Sequence, residues 1–501
     1  MPGRPTEEAL LGFGIDFGTT NSVVGICEGG RTRAVLNEDG KPHPSVVWYQ
    51  ADGKVTVGKR AKRSINAYYG EPGHTMVASV KRELGKQKNY RVAGQPKPAV
   101  DVASEVFRFL IQDATNRSSV RLRQGVVTIP VSFGGTARHE LRQAAEQAGF
   151  YIKTFIHEPF AAVVAYCVGN QGLNLNALEG QNILVFDWGG GTLDITVATI
   201  RSGRMIQLST ADLGRRAGDH FDKKLLQLTY QRFLESEGLG VEQAPISPGA
   251  RDRYLAECER AKIALSGKDD DRVDLADFIR LDGRIYDIQQ AVYRPEFESE
   301  INIDVQDAMA KVDAAVDEAR LTARDIDIVL LIGGSSLIPL VRREMEERFG
   351  ARIVPIRNAD TIIAEGAALV DYLGMHPVMA RSLGVRLSDG AFYEVFRAGT
   401  LAIPEVCRKT INFFCTDNRD GEAKLVLVER FDGREMNERV LPLPVSAELP
   451  ARYNDCERVT VTFSPDDDLI LHVFGKGATK SNETSMEVHD LLFALGTEVR
   501  R

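Results

Sequence analysis

Residues 13–24 read Phe-Gly-Ile-Asp-Phe-Gly-Thr-Thr-Asn-Ser-Val-Val, and residues 184–195 read Leu-Val-Phe-Asp-Trp-Gly-Gly-Gly-Thr-Leu-Asp-Ile. Each stretch places an aspartate, an aromatic residue and a glycine at the bend between two apolar runs, which predicts one strand ending at Asp16 and another at Asp187. Glycine lets the backbone approach a ligand closely and adopt positive φ. Gly18 in the first loop, and Gly189, Gly190 and Gly191 in the second, can therefore turn successive N–H groups into a concavity suited to phosphate oxygens. Thr20 and Thr192 add hydroxyl donors. A carboxylate beside a phosphate cradle would repel it without a cation between them, so two such loops read together as the halves of a magnesium-nucleotide clamp. Either loop alone reads equally well as an ordinary glycine-rich hairpin turn; the repetition carries the clamp reading.

The chain has 501 residues, which predicts several domains at roughly 100 to 200 residues each. Hydrophobic residues make up 43% and charged residues 26%, the balance of a folded globular protein. The formal charge of −8 speaks against nucleic acid as a partner, since a phosphate-backbone binder draws its affinity from a basic face. The cysteines at 27, 167, 258, 407, 415 and 456 form no C-x-x-C pair, so neither a disulfide framework nor a zinc site is indicated, and reduced thiols in a cytoplasmic setting are expected. Neither a signal peptide nor an apolar run long enough to span a bilayer is visible, which predicts no membrane association.

In chain order, Asp39-Gly40 and Asp52-Gly53 mark hairpins, and Ser64 to Gly85 reads as a helix carrying Lys81 near its end. A cation there either complements the helix dipole or serves chemistry. Gln87 to Val100 reads as a polar loop and Glu105 to Thr115 as a helix. Gln124 to Pro130 is an apolar strand followed by a helix from Thr136 that stops at Gly149. Thr154 to His157 leads into a buried apolar helix with Pro159 at its first position, leaving Glu158 at the mouth as a capping or a catalytic carboxylate. Helices are expected at Lys223 to Leu234, Tyr254 to Leu265 and Phe297 to Ala319. Ile326 to Ile332 is a dense apolar strand breaking at Gly333-Gly334-Ser335-Ser336 before a helix through Phe349, an arrangement that can set phosphate at a helix N-terminus or be a plain tight turn. Asn358 to Leu373 is an alanine-rich helix. From Ser382 onward alternation replaces helical period, with Val459, Val461 and Phe463 facing one way and Thr460 and Thr462 the other, and with turns at Asp389-Gly390, Asp420-Gly421 and Asp432-Gly433.

No G-x-x-x-x-G-K-[ST] occurs, so any ATP site is an inter-lobe cleft rather than a P-loop. The ordered motifs Ile15-Asp-Phe-Gly-Thr-Thr-Asn-Ser22, Val127-Thr-Ile-Pro130, Glu158-Pro-Phe-Ala-Ala162, Asp187-Trp-Gly-Gly-Gly-Thr-Leu-Asp194, Cys258 to Ser266, Gly333-Gly-Ser-Ser336 and Gly366-Ala-Ala368 resemble the seventy-kilodalton heat-shock chaperones of the DnaK type, within the actin-like ATPase superfamily. The resemblance covers almost the whole chain. It implies an α/β fold, with a two-lobed actin-like ATPase domain over residues 1–373, a linker over 374–381 and a peptide-binding antiparallel β-sandwich domain over 382–501. It also implies ATP hydrolysis to ADP with Mg2+, with K+ as a further ion, and Lys81 as the catalytic lysine. Glu158 would orient water, Asp16 and Asp187 would hold magnesium through water, and Thr19, Thr20 and Thr192 would contact phosphates. Glu259, Lys262 and Ser266 would hold the adenosine, Gly333, Gly334, Ser335 and Asp360 would complete the site, and Pro130 and Arg138 match the family's nucleotide-sensing pair. The partners it implies are unfolded or extended polypeptides, a J-domain co-chaperone and a nucleotide exchange factor.

The sequence departs from that pattern in several places. Leu337 stands where the family places an arginine over the adenine, and Ala217-Gly-Asp-His220 replaces its Gly-Gly-Glu-Asp turn. The leucine-rich, aspartate-bearing linker is not visible between Val370 and Ser382, which predicts weak coupling between the domains, and no helical lid follows the β domain. A nucleotide-dependent regulatory module and a small-molecule kinase of the same superfamily are the rival readings, because fold does not by itself fix function.

Overall fold

Each aspartate cassette folds as a β-hairpin, and each hairpin builds a lobe. In a computed structural model of the chain the described residues are 11–496, without 69–70, 119, 171–174, 282, 357, 405, 416–421, 431–437, 441–444, 449–456, 479–482 and 490. In the first lobe, Leu11–Asp16 runs antiparallel to Asn21–Glu28, with Asp16 opposite Val23, and parallel to Gln124–Ile129. The sheet continues with Tyr151–His157 on one side and Arg31–Val35 on the other. In the second lobe, Asn182–Trp188 runs antiparallel to Leu193–Arg201, with Asp187 opposite Asp194, and parallel to Ile328–Ile332. The repeated sequence is thus a repeated topology, a parallel neighbour on one flank of the aspartate strand and a hairpin partner on the other. Ile328–Ile332 is buried from Val329 onward, as an apolar parallel strand covered on both faces must be.

The helix Ile362–Leu373 lies against the strand Leu11–Asp16 and the short helix Glu158–Val164. Close approach there depends on Gly366, where an added Cβ would sit 1.8 Å from the Ala161 carbonyl oxygen. The glycine in the Gly-Ala-Ala motif is therefore a packing requirement.

Several local expectations are corrected. The stretch read as one helix from Ser64 to Gly85 is a helix Lys59–Tyr68, a strand Thr75–Ala78 and a single 3₁₀ turn Val80–Glu83. Pro72 and Gly73, at φ 80°, break the helical path between them. Lys81 is consequently buried on a 3₁₀ turn and complements no long helix. The polar segment after it forms the hairpin Asn89–Val92 and Gln95–Pro98, turned by Ala93 and Gly94 at φ 47° and 80°. A long hairpin, Asp270–Leu281 with Arg284–Tyr293, has no counterpart in the sequence reading, because its exposed face alternates too irregularly to declare itself. Gly333 caps a 3₁₀ turn Gly334–Leu337, and the α-helix begins only at Pro339, so the Gly-Gly-Ser stretch starts a 3₁₀ turn and not the α-helix itself.

Beyond Ser382 the chain is an antiparallel sandwich whose four-stranded sheet orders Lys409–Cys415, Glu457–Pro465, Leu471–Gly477 and Glu483–Val488. Val459, Val461 and Phe463 are buried while Thr460 and Thr462 are partly exposed, as the alternation requires. Asp389-Gly390 forms its turn with Gly390 at φ 85°, whereas Asp420-Gly421 and Asp432-Gly433 lie outside the described residues. One continuous apolar cluster joins first-lobe residues such as Phe107 and Phe150 to sandwich residues such as Phe396 and Phe463. The second lobe's sheet in turn receives Phe493–Gly496, from after the sandwich, and Pro377–Met379, from the segment read as a linker.

Candidate active site

Both hairpin turns converge on one ion pair. Lys81 Nζ lies 2.7 Å from Glu158 Oε1, with the two side chains 5% and 12% exposed. Strand ends deliver the parts: Asp16 ends its strand, Glu158 follows Tyr151–His157, and Asp187 and Asp194 face each other across the second hairpin. Thr128 Oγ1 donates to Asp16 Oδ1 at 3.0 Å, and Thr192 Oγ1 donates to Asp194 Oδ2 at 2.8 Å.

The electrostatics reflect crowded carboxylates. Burial, then the charge of Glu158, lifts Asp16 to about 6 against the opposing pull of Lys81 and Thr128. Burial and Glu158 lift Asp194 to about 6 as well, and burial with three neighbouring carboxylates holds Asp187 well above its usual range. These groups are short of positive charge. Among the described residues no three His, Cys, Asp or Glu side chains could hold a metal ion by themselves, so a cation here would complete its shell with water and phosphate oxygens.

The glycine loop of the second lobe lies directly against the threonines of the first. A Cβ added at Gly190 would meet Thr20 Oγ1 at 3.0 Å, and one at Gly191 would meet the Arg82 guanidinium at 2.3 Å and Thr19 Cγ2 at 3.4 Å. Thr20 Oγ1 is buried without a hydrogen-bond partner, a group that a phosphate oxygen would satisfy. Arg82 Nη2 donates to the Gly191 carbonyl at 2.9 Å and so ties the first lobe's 3₁₀ turn to the second lobe's glycine loop across the cleft. The donor set and the cation-poor carboxylates therefore fit a magnesium nucleotide.

On the second lobe, Glu259, Lys262 and Ser266 share one end of the helix Pro248–Leu265, with Ser266 as its C-cap. Glu259 bonds Lys62 of the first lobe at 2.8 Å, so the cleft is bridged at its upper rim. Burial pushes the Glu259 carboxyl up, but Lys62 and Lys262 outweigh it and bring it below its ordinary value. Lys262 Nζ is held by Asp222 at 2.7 Å and by the Gly218 carbonyl at 3.0 Å. Ser335 Oγ donates to the Gly189 carbonyl at 2.9 Å, and a Cβ at Gly334 would lie 3.9 Å from Asp360. Gly333, at φ 77°, passes so near the strand Asn182–Trp188 that a Cβ would stand 2.7 Å from Asp187 Oδ1. Leu337 is 39% exposed, and Arg343 is occupied by Glu298 at 2.6 Å.

Pro130 and Arg138 connect the site to the sandwich. Pro130 lines a cleft with Glu158, Asp187 and Asp194, and its carbonyl accepts from the Phe133 amide at 3.1 Å. Arg138 donates to the Phe133 carbonyl at 2.7 Å and to the carbonyls of Asp468 and His489 at 2.6 and 3.1 Å. Arg138 is thus a buried arginine bound to the sandwich.

Sequence reading assigned no role to Asp194, Arg82, Asp222 or Thr128. Asp194 and Thr128 lie inside motifs quoted above and Arg82 beside Lys81, so adjacency is a usable signal for these three; Asp222 carries none.

A two-lobed α/β body with duplicated aspartate hairpins, followed by an antiparallel sandwich, defines the actin-like class of folds with an appended β domain. Within that class the chain belongs to the Hsp70 family, whose model, described as Hsp70 protein, matches residues 12–491. It is 28% identical over 521 residues to the chaperone protein DnaK of Deinococcus deserti, covering 97% of this chain and 80% of that protein. It is 28% identical over 534 residues to that of Deinococcus radiodurans, with the same coverage of 97% and 80%. No described helix is long and apolar enough to cross a membrane.

Proposed function

We propose that this chain hydrolyses ATP in the inter-lobe cleft and binds extended apolar segments of unfolded polypeptides through its sandwich, as a DnaK-type chaperone. The buried Lys81–Glu158 pair, set where both aspartate hairpins meet, carries the reading. Bound magnesium would supply positive charge beside the terminal phosphates, with Asp16 and Asp187 holding it through water. Thr19, Thr20 and Thr192, with the amides of Gly189, Gly190 and Gly191, bind and orient phosphate oxygens. Glu158 accepts a hydrogen bond from the attacking water and aligns it, and Lys81 fixes Glu158 while adding positive charge where negative charge develops. Glu259, Lys262 and Ser266 bind the adenosine end, and Arg82 holds the second lobe's glycine loop against the first lobe.

The test is turnover of ATP with and without an unfolded model peptide. Stimulation by peptide supports the chaperone, turnover only with a sugar supports a kinase, and indifference to both supports a regulatory module.

A further inference from the structure

The first lobe's glycine loop is held from behind by a closed ring of hydrogen bonds. Gly18 donates its amide to Ser22 Oγ at 3.2 Å, Ser22 Oγ and Ser45 Oγ lie 2.9 Å apart, and Ser45 Oγ donates to the Gly18 carbonyl at 2.9 Å. We propose that Ser22 and Ser45 are positioning residues for the phosphate grip: they lock the turn over residues 18–21 so that the Thr20 hydroxyl is presented to a phosphate oxygen. The locking stands on contacts alone; its use rests on the nucleotide reading above.

The direction of the ring follows from its protons, since each serine hydroxyl has one to donate. Ser45 gives its proton to the Gly18 carbonyl, so the proton between the two serines belongs to Ser22, and Ser22 Oγ accepts from the Gly18 amide. The ring thus begins and ends on one residue and leaves no donor in it unused. Bonds in such a chain polarise one another, and both side chains are buried, at 0% and 2% exposed, where water does not replace a lost partner. Ser45 holds a second point as well, because its amide donates to the Thr20 carbonyl at 2.9 Å. One residue therefore fixes the carbonyls at both 18 and 20. Glycine is required at 18, where a Cβ would stand 1.9 Å from the Asn21 carbonyl oxygen.

The ring is anchored in the first lobe and not in the cleft. Ser45 follows the two-residue strand His43–Pro44, which pairs with Asn21 and Ser22. His43 is buried against the helix Ala99–Ser118, with Nε2 3.3 Å from Asp113 Oδ2 and its ring in a T-shaped contact with Phe109 at 5.2 Å. What the ring leaves open is the Thr20 hydroxyl. Thr20 Oγ1 is buried without a partner and lies 3.0 Å from where a Cβ at Gly190 of the opposite loop would stand. Such a group is costly until a ligand satisfies it. With the backbone fixed on both sides, the turn has no freedom to carry that hydroxyl to an acceptor within the protein, so it stays aimed at the space between the loops.

Hydrogen exchange read by mass spectrometry on the nucleotide-free full chain tests the locking. The amides of 18–22 should be protected, and Ser45→Ala should speed them about fivefold or more while Ile328–Ile332 keeps its protection. Exchange as slow in Ser45→Ala as in the unaltered chain overturns the proposal. Should that variant lose protection everywhere, Ser22→Ala, which opens the same ring, is read in its place; loss everywhere in both makes the serines merely structural and also overturns it. Calorimetry tests the presentation. Affinity for Mg·ADP should fall about five- to fiftyfold in Ser45→Ala, the scale of leaving one buried partner unsatisfied, while adenosine, which carries no phosphate, should bind within about twofold of its affinity for the unaltered chain. Equal losses for the two ligands, or none for Mg·ADP, overturn the positioning role. In Thr20→Val the presented hydroxyl is gone, so adding Ser45→Ala should weaken Mg·ADP by less than about twofold more, and losses that add in full overturn the route through Thr20. No binding of either ligand to the unaltered chain would refute the nucleotide reading, while the exchange of 18–22 still decides whether the serines lock the turn.

Discussion

Removing either member of the Lys81–Glu158 pair should lower hydrolysis alike yet move the pH dependence of the site in opposite directions. The two groups lie 2.7 Å apart and are 5% and 12% exposed, so deleting one leaves the other charged, buried and uncompensated. Breaking such a pair costs about 3 to 5 kcal/mol, and both Lys81→Ala and Glu158→Gln should be destabilised on that scale. Losing one preorganised group at the reacting centre costs on the order of 10²- to 10³-fold in rate. The carboxylates distinguish the variants. Glu158 pushes Asp16, Asp187 and Asp194 up and Lys81 pulls all three down. Glu158→Gln should therefore move the ionisation of Asp16 and Asp194 below about 6, and Lys81→Ala should move it above. Because a magnesium nucleotide needs these carboxylates ionised, its affinity should fall on acidification at a lower pH in Glu158→Gln and at a higher pH in Lys81→Ala. Calorimetric titration of Mg·ADP between pH 5 and 8, with single-turnover hydrolysis at pH 7.5, measures both. Wild-type turnover in either variant, or a midpoint that moves the same way in both, refutes this account of the pair.

The nucleotide-free protein should lose stability as pH rises through the carboxylate window. Asp16 and Asp194 are lifted from 3.8 to about 6 on folding, so between these values the folded state binds more protons than the unfolded one. Urea midpoints at pH 4.5 and 7 should differ less in Asp194→Asn than in the unaltered chain, and an unchanged difference contradicts the shift. Leu337→Arg should tighten ATP binding a few-fold to about thirtyfold, since a stacked cation is worth roughly 0.5 to 2 kcal/mol and Arg343 is held by Glu298. Titration calorimetry showing no gain would mean that the adenine is held differently. Asp468→Ala should free the sandwich to melt apart from the lobes, because Arg142 loses its buried carboxylate. Scanning calorimetry should then resolve two transitions, and a single unshifted one contradicts that role.

The expectation of weak domain coupling rests on the segment between Val370 and Ser382 alone and concerns the response to nucleotide, whereas the docking of the domains is decided by contacts elsewhere in the chain. The structure brings the sandwich into contact with both lobes through Arg138, Asp468 and the strand Phe493–Gly496, residues far apart in the chain. Nothing local marks such contacts: Arg138 is one arginine among many on a helix, and the apolar run at 491–495 reads as one more sandwich strand.

What the sequence determined by itself was the duplication and its chemistry. Aspartate, aromatic and glycine at the bend between apolar runs require a strand, a tight turn and a second strand wherever they occur, so the two hairpins and their phosphate-ready loops were legible from short-range rules. The alternation at Val459, Val461 and Phe463 likewise announced a half-buried sheet. Only the tertiary structure decided that Lys81 sits on a buried 3₁₀ turn, that Glu158 is its partner and not merely a helix cap, and that Arg82 and Thr20 meet the opposite loop. These depend on how two lobes close on each other, and the energy of that closure comes from apolar burial, which is non-directional and leaves no motif at the positions it brings together.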